Sequence, residues 1–405
     1  MSTAPPDDRA PPSPLLWLLV FALAAFNLRA PIVVVGPVLE PIMQTLSLGA
    51  STASLLTTGM IICFGLLSPL APSFAGRVGL DRAIATALSA VAAGALLRSI
   101  DSLPVMLAGT LLAGAGIAFG NVFMPSLVKR DRPERLGQTM GLYTVIMGIG
   151  ATLSAATAVP LMQLGGSWRV PLGLWAGMAG VAALGWWWFT RHAPKHPGTG
   201  ASLDLRAIIR STTAWTLTVF MGLQSLGFYT IQTWLAAVAT SAGVGGATAG
   251  TMLSLLNLTS IPSSYLVARA ATRMRRPAWL VLGLCTLIAT GLLGLLLAPE
   301  RAPLLWAVAL GAGQGGSFSF ALTMIVLRTR KADHAAMLSG MSQSIGYLLA
   351  AGGPLVFGAL NALLGHWQGS LWLLLALLGV QAVAGVLIAR PRMVTLRDRA
   401  GAGRT

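Results

Sequence analysis

Of the chain's 405 residues, 55% are hydrophobic and 9% are charged, where soluble domains carry about 25% charged residues; with a mean hydropathy of +0.76, this excludes a soluble globular protein. The net charge of +16 does not point to nucleic acid, because the basic residues recur in alternate connections between apolar runs and not in one contiguous patch.

Residues 1–13 are Pro-rich and read as a disordered cytosolic tail. They lack the basic start and small-residue cleavage site of a signal peptide, so the first apolar run is expected to be retained. That run, 14–37, holds Arg29 and Pro31, with Glu40 at its outer mouth. The second, 51–73, leads into a loop with Arg77 and Arg82. The third and fourth, 83–100 and 104–127, flank an outer connection containing Asp101, with Arg98 at the outer end of the third; Asn121 lies in the cytosolic part of the fourth. "VKRDRPERLG" follows, with Arg130 and Asp131, and then the fifth and sixth runs, 137–162 and 170–189. A linker at 191–211, rich in Pro, Gly and charge, separates these from the seventh run, 212–239, which carries Gln224, Phe228, Tyr229 and Gln232. The eighth to twelfth are 247–268 with Asn257, 278–298, 303–327 with Gln314, 337–363 with Gln343 and Tyr347, and 370–389; a basic tail, 391–405, closes the chain. Each run is close to the roughly 20 residues a spanning helix needs. Open strand edges cannot face lipid, and no alternating barrel pattern is present, so the fold expected is an all-α membrane protein with twelve transmembrane helices. The placement of Lys and Arg puts both termini in the cytosol. Cys63 and Cys285 fall within spans and read as packing residues.

An arginine at the centre of a spanning helix costs about 2.5–3.5 kcal/mol on translocon scales. None of the eleven acids and four histidines falls in the core of a span. Carbonyls, neutral side chains, water or an anion from outside the chain are therefore expected to serve the Arg29 guanidinium, whose planar fork suits carboxylate-like groups. This makes Arg29 the candidate anchor for an anionic substrate, against a structural role on carbonyls freed near Pro31. Glu40, at the outer mouth of the first span, is the plausible acid for proton coupling. Gln224, Phe228, Gln314 and Tyr347 fall near mid-span, with Asn121, Tyr229 and Gln232 also candidates to line a cavity; interhelical hydrogen bonding is the alternative for the polar ones. Arg77, Arg130 and Asp131 are candidates for a cytosolic gate. No metal, cofactor, Walker loop or acid–His cluster is indicated, so an enzyme or primary pump is not expected.

The chain also resembles itself at a displacement of about 197–200 residues. Gly114 and Gly116 recur as Gly311 and Gly313, Ser54–Leu56 as Ser254–Leu256, Gly141 as Gly340, and Trp168 as Trp367. This predicts two pseudo-symmetric six-helix bundles, 14–190 and 212–390, with substrate near the midplane of the repeat. Arg29 and Tyr229 then occupy corresponding positions.

"NLRAPIVVVGP", "LLAGAGIAFGNVFMPSLVKRD", "GLYTVIMGIGA", "GLQSLGFYTIQTWLA", "GAGQGGSFSFALTMIVLRTR" and "LSGMSQSIGYLLAAGGPLVFG" together resemble the major facilitator superfamily, and within it the cyanate permease and 2-nitroimidazole transporter group. The resemblance covers nearly the whole chain. Pro72 and Ser73 stand where the superfamily usually has an Asp–basic pair, although Arg77 remains. The resemblance implies a multi-pass monomer in a bacterial inner membrane, with spans 1, 4, 7 and 10 lining the cavity. It implies alternating access for a small anionic or planar solute such as cyanate. Export of nitroimidazole-like compounds is the alternative, and a sensor that does not transport is a distant one.

Overall fold

The computed structural model describes residues 13–48, 50–192 and 208–394; the side chains of a few of these, Glu40 among them, lie outside the description, as do most of the expected tails and linker. All regular structure among the described residues is helical.

The first span is not one helix. Ser13 opens α1 (Pro14–Asn27): its hydroxyl accepts from the Leu16 N–H at 3.2 Å, and Pro14 takes the first turn, where no N–H is needed. The chain breaks at Leu28 and Arg29, restarts as the four-residue α2 (Ala30–Val33), tightens into a 3-10 turn at Gly36–Val38, and continues as α3 (Leu39–Leu46). Prolines 31, 37 and 41 each fall in the opening turn of a new piece, where a missing donor is tolerated. The second span divides in the same way, into α4 (Ala50–Leu67) and α5 (Ala71–Val78), around Pro69 and Pro72. The others are continuous: α6 (Leu80–Leu97), α7 (Leu103–Asp131), α8 (Leu136–Gly165), α9 (Arg169–His192), α10 (Thr212–Ser241), α11 (Gly246–Arg273), α12 (Ala278–Leu297), α13 (Pro303–Leu327), α14 (Ala332–Leu364) and α15 (Gln368–Ala389). Pro125, Pro160, Pro262 and Pro354 lie inside four of them without ending the helix.

Among the described residues, ten stretches are long and apolar enough to cross a membrane, where the hydrophobic runs predict twelve spans. The two left over are α10 and α11, of 30 and 28 residues. They are long enough but diluted by Gln224, Ser225, Gln232, Asn257, Ser260, Ser263 and Ser264. Polarity concentrated on two neighbouring helices is what interhelical hydrogen bonding or a solute path requires.

The chain packs as two compact units. One takes the chain up to Met124 and again from Ile149; the other takes Pro125–Gly148 and the chain from Leu203. In the second unit, a Cβ on Gly141 would meet Tyr265 of α11 at 3.0 Å. Within each unit the repeated glycines do equivalent work. A Cβ on Gly114 would strike Met60 and Cys63 of α4, and one on Gly311 would strike Leu256 and Thr259 of α11. One on Gly116 would meet Ala87 and Val91 of α6, and one on Gly313 would meet Leu284 and Ile288 of α12. The fourth and tenth spans thus press on the second and third, and on the eighth and ninth, at matching positions.

Candidate functional site

In the first unit the interruption of the first span defines the site. Asn27, fully buried, turns its Nδ2 back to the Leu23 carbonyl at 2.9 Å, closing α1. Arg29 caps α2: its carbonyl accepts from the Ile32 and Val33 N–H groups at 3.1 and 3.3 Å, and its side chain is half-buried. Two glycines make room for the break. A Cβ on Gly120 of α7 would strike the Leu28 side chain, and one on Gly150 of α8 would sit 2.5 Å from the Phe26 carbonyl oxygen. Phe26 stacks on Trp175 of α9 at 5.6 Å between ring centroids. Asn121, one residue beyond Gly120, is 7% exposed. Glu40 falls in α3, and its side chain lies outside the described residues.

One residue of this neighbourhood escapes sequence reading. Arg98, placed by its position at the outer end of the third run, is 2% exposed. Its Nη1 donates to the Pro31 carbonyl at 2.6 Å and its Nη2 to the Leu56 carbonyl at 3.2 Å, with the Met60 sulfur 3.9 Å from Nη1. A hydrogen bond to a carbonyl at the Pro31 break thus comes from Arg98. The available signal was that Arg98 is one of very few basic residues on the outer side. Its outer neighbour Asp101 pairs instead with Arg169, at the start of α9.

In the second unit, α10 carries three of the candidates together. Phe228 and Tyr229, both half-buried, meet edge to face at 5.4 Å, and Tyr229 meets the buried Tyr347 of α14 at 6.3 Å, also edge to face. One turn on, Gln232 Oε1 accepts from Asn257 Nδ2 of α11 at 3.4 Å, and Trp234 Nε1 donates to the Pro354 carbonyl of α14 at 2.9 Å. An aromatic trio beside an amide pair offers flat apolar faces next to hydrogen-bonding groups. Gln224 is less available: it is 1% exposed, and its Nε2 donates to Ser225 Oγ at 2.6 Å and to the Met221 carbonyl at 3.1 Å. Gln343 likewise donates to Ser339 Oγ, at 2.7 Å.

Gln314 occupies a different place. With Gln381 of α15 it lines a void of about 20 Å³ otherwise walled by side chains such as Leu226, Ile288, Leu292 and Leu378. The two are 3% exposed, and neither Gln314 Oε1 nor Gln381 Nε2 has a protein partner. An acceptor and a donor therefore share one apolar chamber inside this unit. Each is a buried polar atom left unsatisfied among the described residues, a condition that costs about 1–3 kcal/mol. Gln314→Leu and Gln381→Leu, similar in volume, are each expected to hold or raise the melting temperature, because each removes a buried polar atom that has no bond to lose; a melting temperature lowered by several degrees in thermal unfolding would contradict this.

Of the three gate candidates, Arg130 and Asp131 pair with each other at the end of α7, Nε to Oδ1 at 2.5 Å and Nη2 to Oδ2 at 3.1 Å. Arg77 is exposed in the last turn of α5, where a cation suits the helix dipole. Arg328 donates to the Ile388 and Ala389 carbonyls, both at 2.9 Å, capping α15. Among the described residues no three His, Cys, Asp or Glu side chains gather as a metal site would need.

Comparison with known proteins matches residues 17–351 to the model of the Major Facilitator Superfamily. The chain is 40% identical to the Bacillus subtilis (strain 168) protein named Uncharacterized transporter YycB, over 93% of this chain and 94% of that protein. It is 34% identical to the 2-nitroimidazole transporter of Escherichia coli (strain K12), over 92% and 95%. It is 30% identical to the cyanate transport protein CynX of the same organism, over 94% and 97%. The outward-open crystal structure of FucP superposes with a TM-score of 0.72 at 13% identity, covering 92% of this chain and 99% of that one.

Proposed function

Since the chain belongs to the Major Facilitator Superfamily, we propose that it carries a small anionic or planar solute across a bacterial inner membrane by alternating access, with both termini cytosolic and the repeats 14–190 and 212–390 as its moving bundles. The observation that carries this reading is the interruption of the first span at Arg29. A helix broken inside a membrane exposes backbone groups that must be used, and transporters use them at the solute. Arg29 supplies the charge and the planar donors there. Phe228, Tyr229 and Tyr347 supply aromatic faces, and Gln232 and Asn121 neutral hydrogen bonding; Glu40 is the coupling residue if protons move with the solute. The relatives named for cyanate and 2-nitroimidazole support a small solute with a planar or linear electron-rich group.

Counterflow of labelled cyanate in proteoliposomes tests the anion reading: the expected result is saturable exchange inhibited by other small anions, and no counterflow with any small anion refutes it. The aromatic trio favours a second reading, export of heteroaromatic compounds. Under either reading Tyr229→Ala is expected to raise KM for 2-nitroimidazole about 2- to 10-fold, the range of an aromatic contact, with Tyr229→Phe near wild type. An unchanged KM in Tyr229→Ala removes Tyr229 from the site.

A further inference from the structure

We propose that Arg98 is a positioning residue for the solute site: it clamps the broken first span so that Arg29 is held in register, without itself touching the solute. This rests on the reading of Arg29 given above.

Arg98 takes its place from the end of α6. It follows the last turn of α6, its N–H bonded to the Gly94 carbonyl at 3.2 Å. A Cβ on Gly109 of α7 would lie 3.0 Å from the Arg98 nitrogen and 2.6 Å from the Gly94 oxygen. The two helices are therefore in backbone contact here, and the base of the Arg98 side chain cannot drift. The side chain then goes inward. Burying a guanidinium is costly unless its donors are used, and among the described residues its oxygen partners are the carbonyls of Pro31 and Leu56. Leu56 and Met60 of α4 are themselves fully buried. The Nε of Arg98 is buried without a partner, so the geometry is set by the two carbonyls and not by full satisfaction of the guanidinium.

The choice of Pro31 is what gives Arg98 a functional reach. α2 is a single turn, too short to hold itself in place. Its first carbonyls, those of Arg29 and Ala30, are bonded within the turn; the next, that of Pro31, is taken by Arg98. Arg29 lies two residues before Pro31 in the same turn, its own carbonyl bonded to the N–H groups of Ile32 and Val33. Fixing the Pro31 carbonyl to α4 and α6 thus fixes the backbone from which the Arg29 side chain springs.

The test uses the full chain in lipid nanodiscs and in proteoliposomes. Hydrogen exchange of peptides covering 25–38 is measured for wild type, Arg98→Leu, Arg98→Lys and Arg29→Ala. Exchange in this segment is expected to rise about tenfold or more in Arg98→Leu, by less in Arg98→Lys, which reaches one carbonyl, and not in Arg29→Ala. Uptake of cyanate and 2-nitroimidazole is measured alongside: Arg98→Leu is expected to raise KM at least tenfold while kcat falls much less, with partial rescue in Arg98→Lys. Unchanged exchange at 25–38, or faster exchange spread evenly over α6 and α7, overturns the clamp. Faster local exchange with an unchanged KM overturns the positioning role. If wild type takes up neither probe, the function proposed above fails for these solutes, and the exchange measurement alone decides whether Arg98 holds the Arg29 segment. If Arg98→Leu does not purify, Arg98→Gln, which keeps an amide donor, is measured with the same criteria and a smaller expected change.

Discussion

Arg29→Ala is expected to lower kcat/KM for the transported anion by about 100-fold or more, with the protein still folded. Hydrogen bonds to a charged group contribute about 1.5–3 kcal/mol each, and a bidentate fork makes two. The loss should appear in proteoliposome uptake as a raised KM, because the contact is made to the bound solute. Arg29→Lys keeps the charge but not the fork, and is expected to fall between, about tenfold below wild type. Stability separates this from misfolding. The Arg29 side chain is half-buried at a break, not in the packed core, and removing a partly desolvated charge does not open a cavity. The protein is therefore expected to stay folded, with a melting temperature lowered by no more than about 5 °C. Normal transport in Arg29→Ala removes the anchor from the account.

The second large effect concerns the joint between α11 and α13. Here glycines and serines interlock: Ser263 Oγ donates to the Ala312 carbonyl at 2.5 Å, Ser264 Oγ to the Gly315 carbonyl at 2.9 Å, and Ser319 Oγ to the Ser264 carbonyl at 2.6 Å. A Cβ on Gly315 would lie 2.5 Å from both the Cα and the carbonyl oxygen of Ser260. Those atoms are backbone and cannot rotate away, so α13 must shift, breaking the serine bonds as it goes. Gly315→Val is expected to cost about 3 kcal/mol or more, at the upper end for overpacking, seen as a melting temperature lowered by several degrees or as loss of folded protein on purification. Gly352→Ala is the control. Nothing lies within 4 Å of a Cβ there, and a glycine inside a helix gains about 0.5–1 kcal/mol on becoming alanine. A Gly315→Val protein as stable as Gly352→Ala would mean that the two helices do not meet as described.

These two sites show what the residues alone disclose. Hydropathy was enough to find the helices, because each apolar run must bury or lipidate its own length. The glycine repeat was legible too, since glycines at Gly114, Gly116, Gly311 and Gly313 do one job, close approach, and recur at one spacing. Arg29 stood out because a charge in an apolar run breaks the pattern. Arg98 did not, because it lies at the end of its run and its sequence position looks like that of an ordinary loop arginine; only packing turns it inward toward Pro31. The nearness of Gln314 to Gln381 was hidden for a similar reason: glutamines 67 positions apart carry no local signal that they line one pocket. Prolines at 31, 37 and 41 gave warning of a bend, but their combined effect, a span in several pieces, depends on what the rest of the unit offers the freed carbonyls.

The most direct measurement of the central claim is a crystal structure of the protein soaked with selenocyanate, a linear anion whose selenium scatters anomalously. With Arg29 as the anchor, an anomalous peak lies within hydrogen-bonding reach of its guanidinium and is absent from crystals of Arg29→Ala. A peak that persists in Arg29→Ala, or that lies elsewhere in the chain in protein that transports, contradicts it.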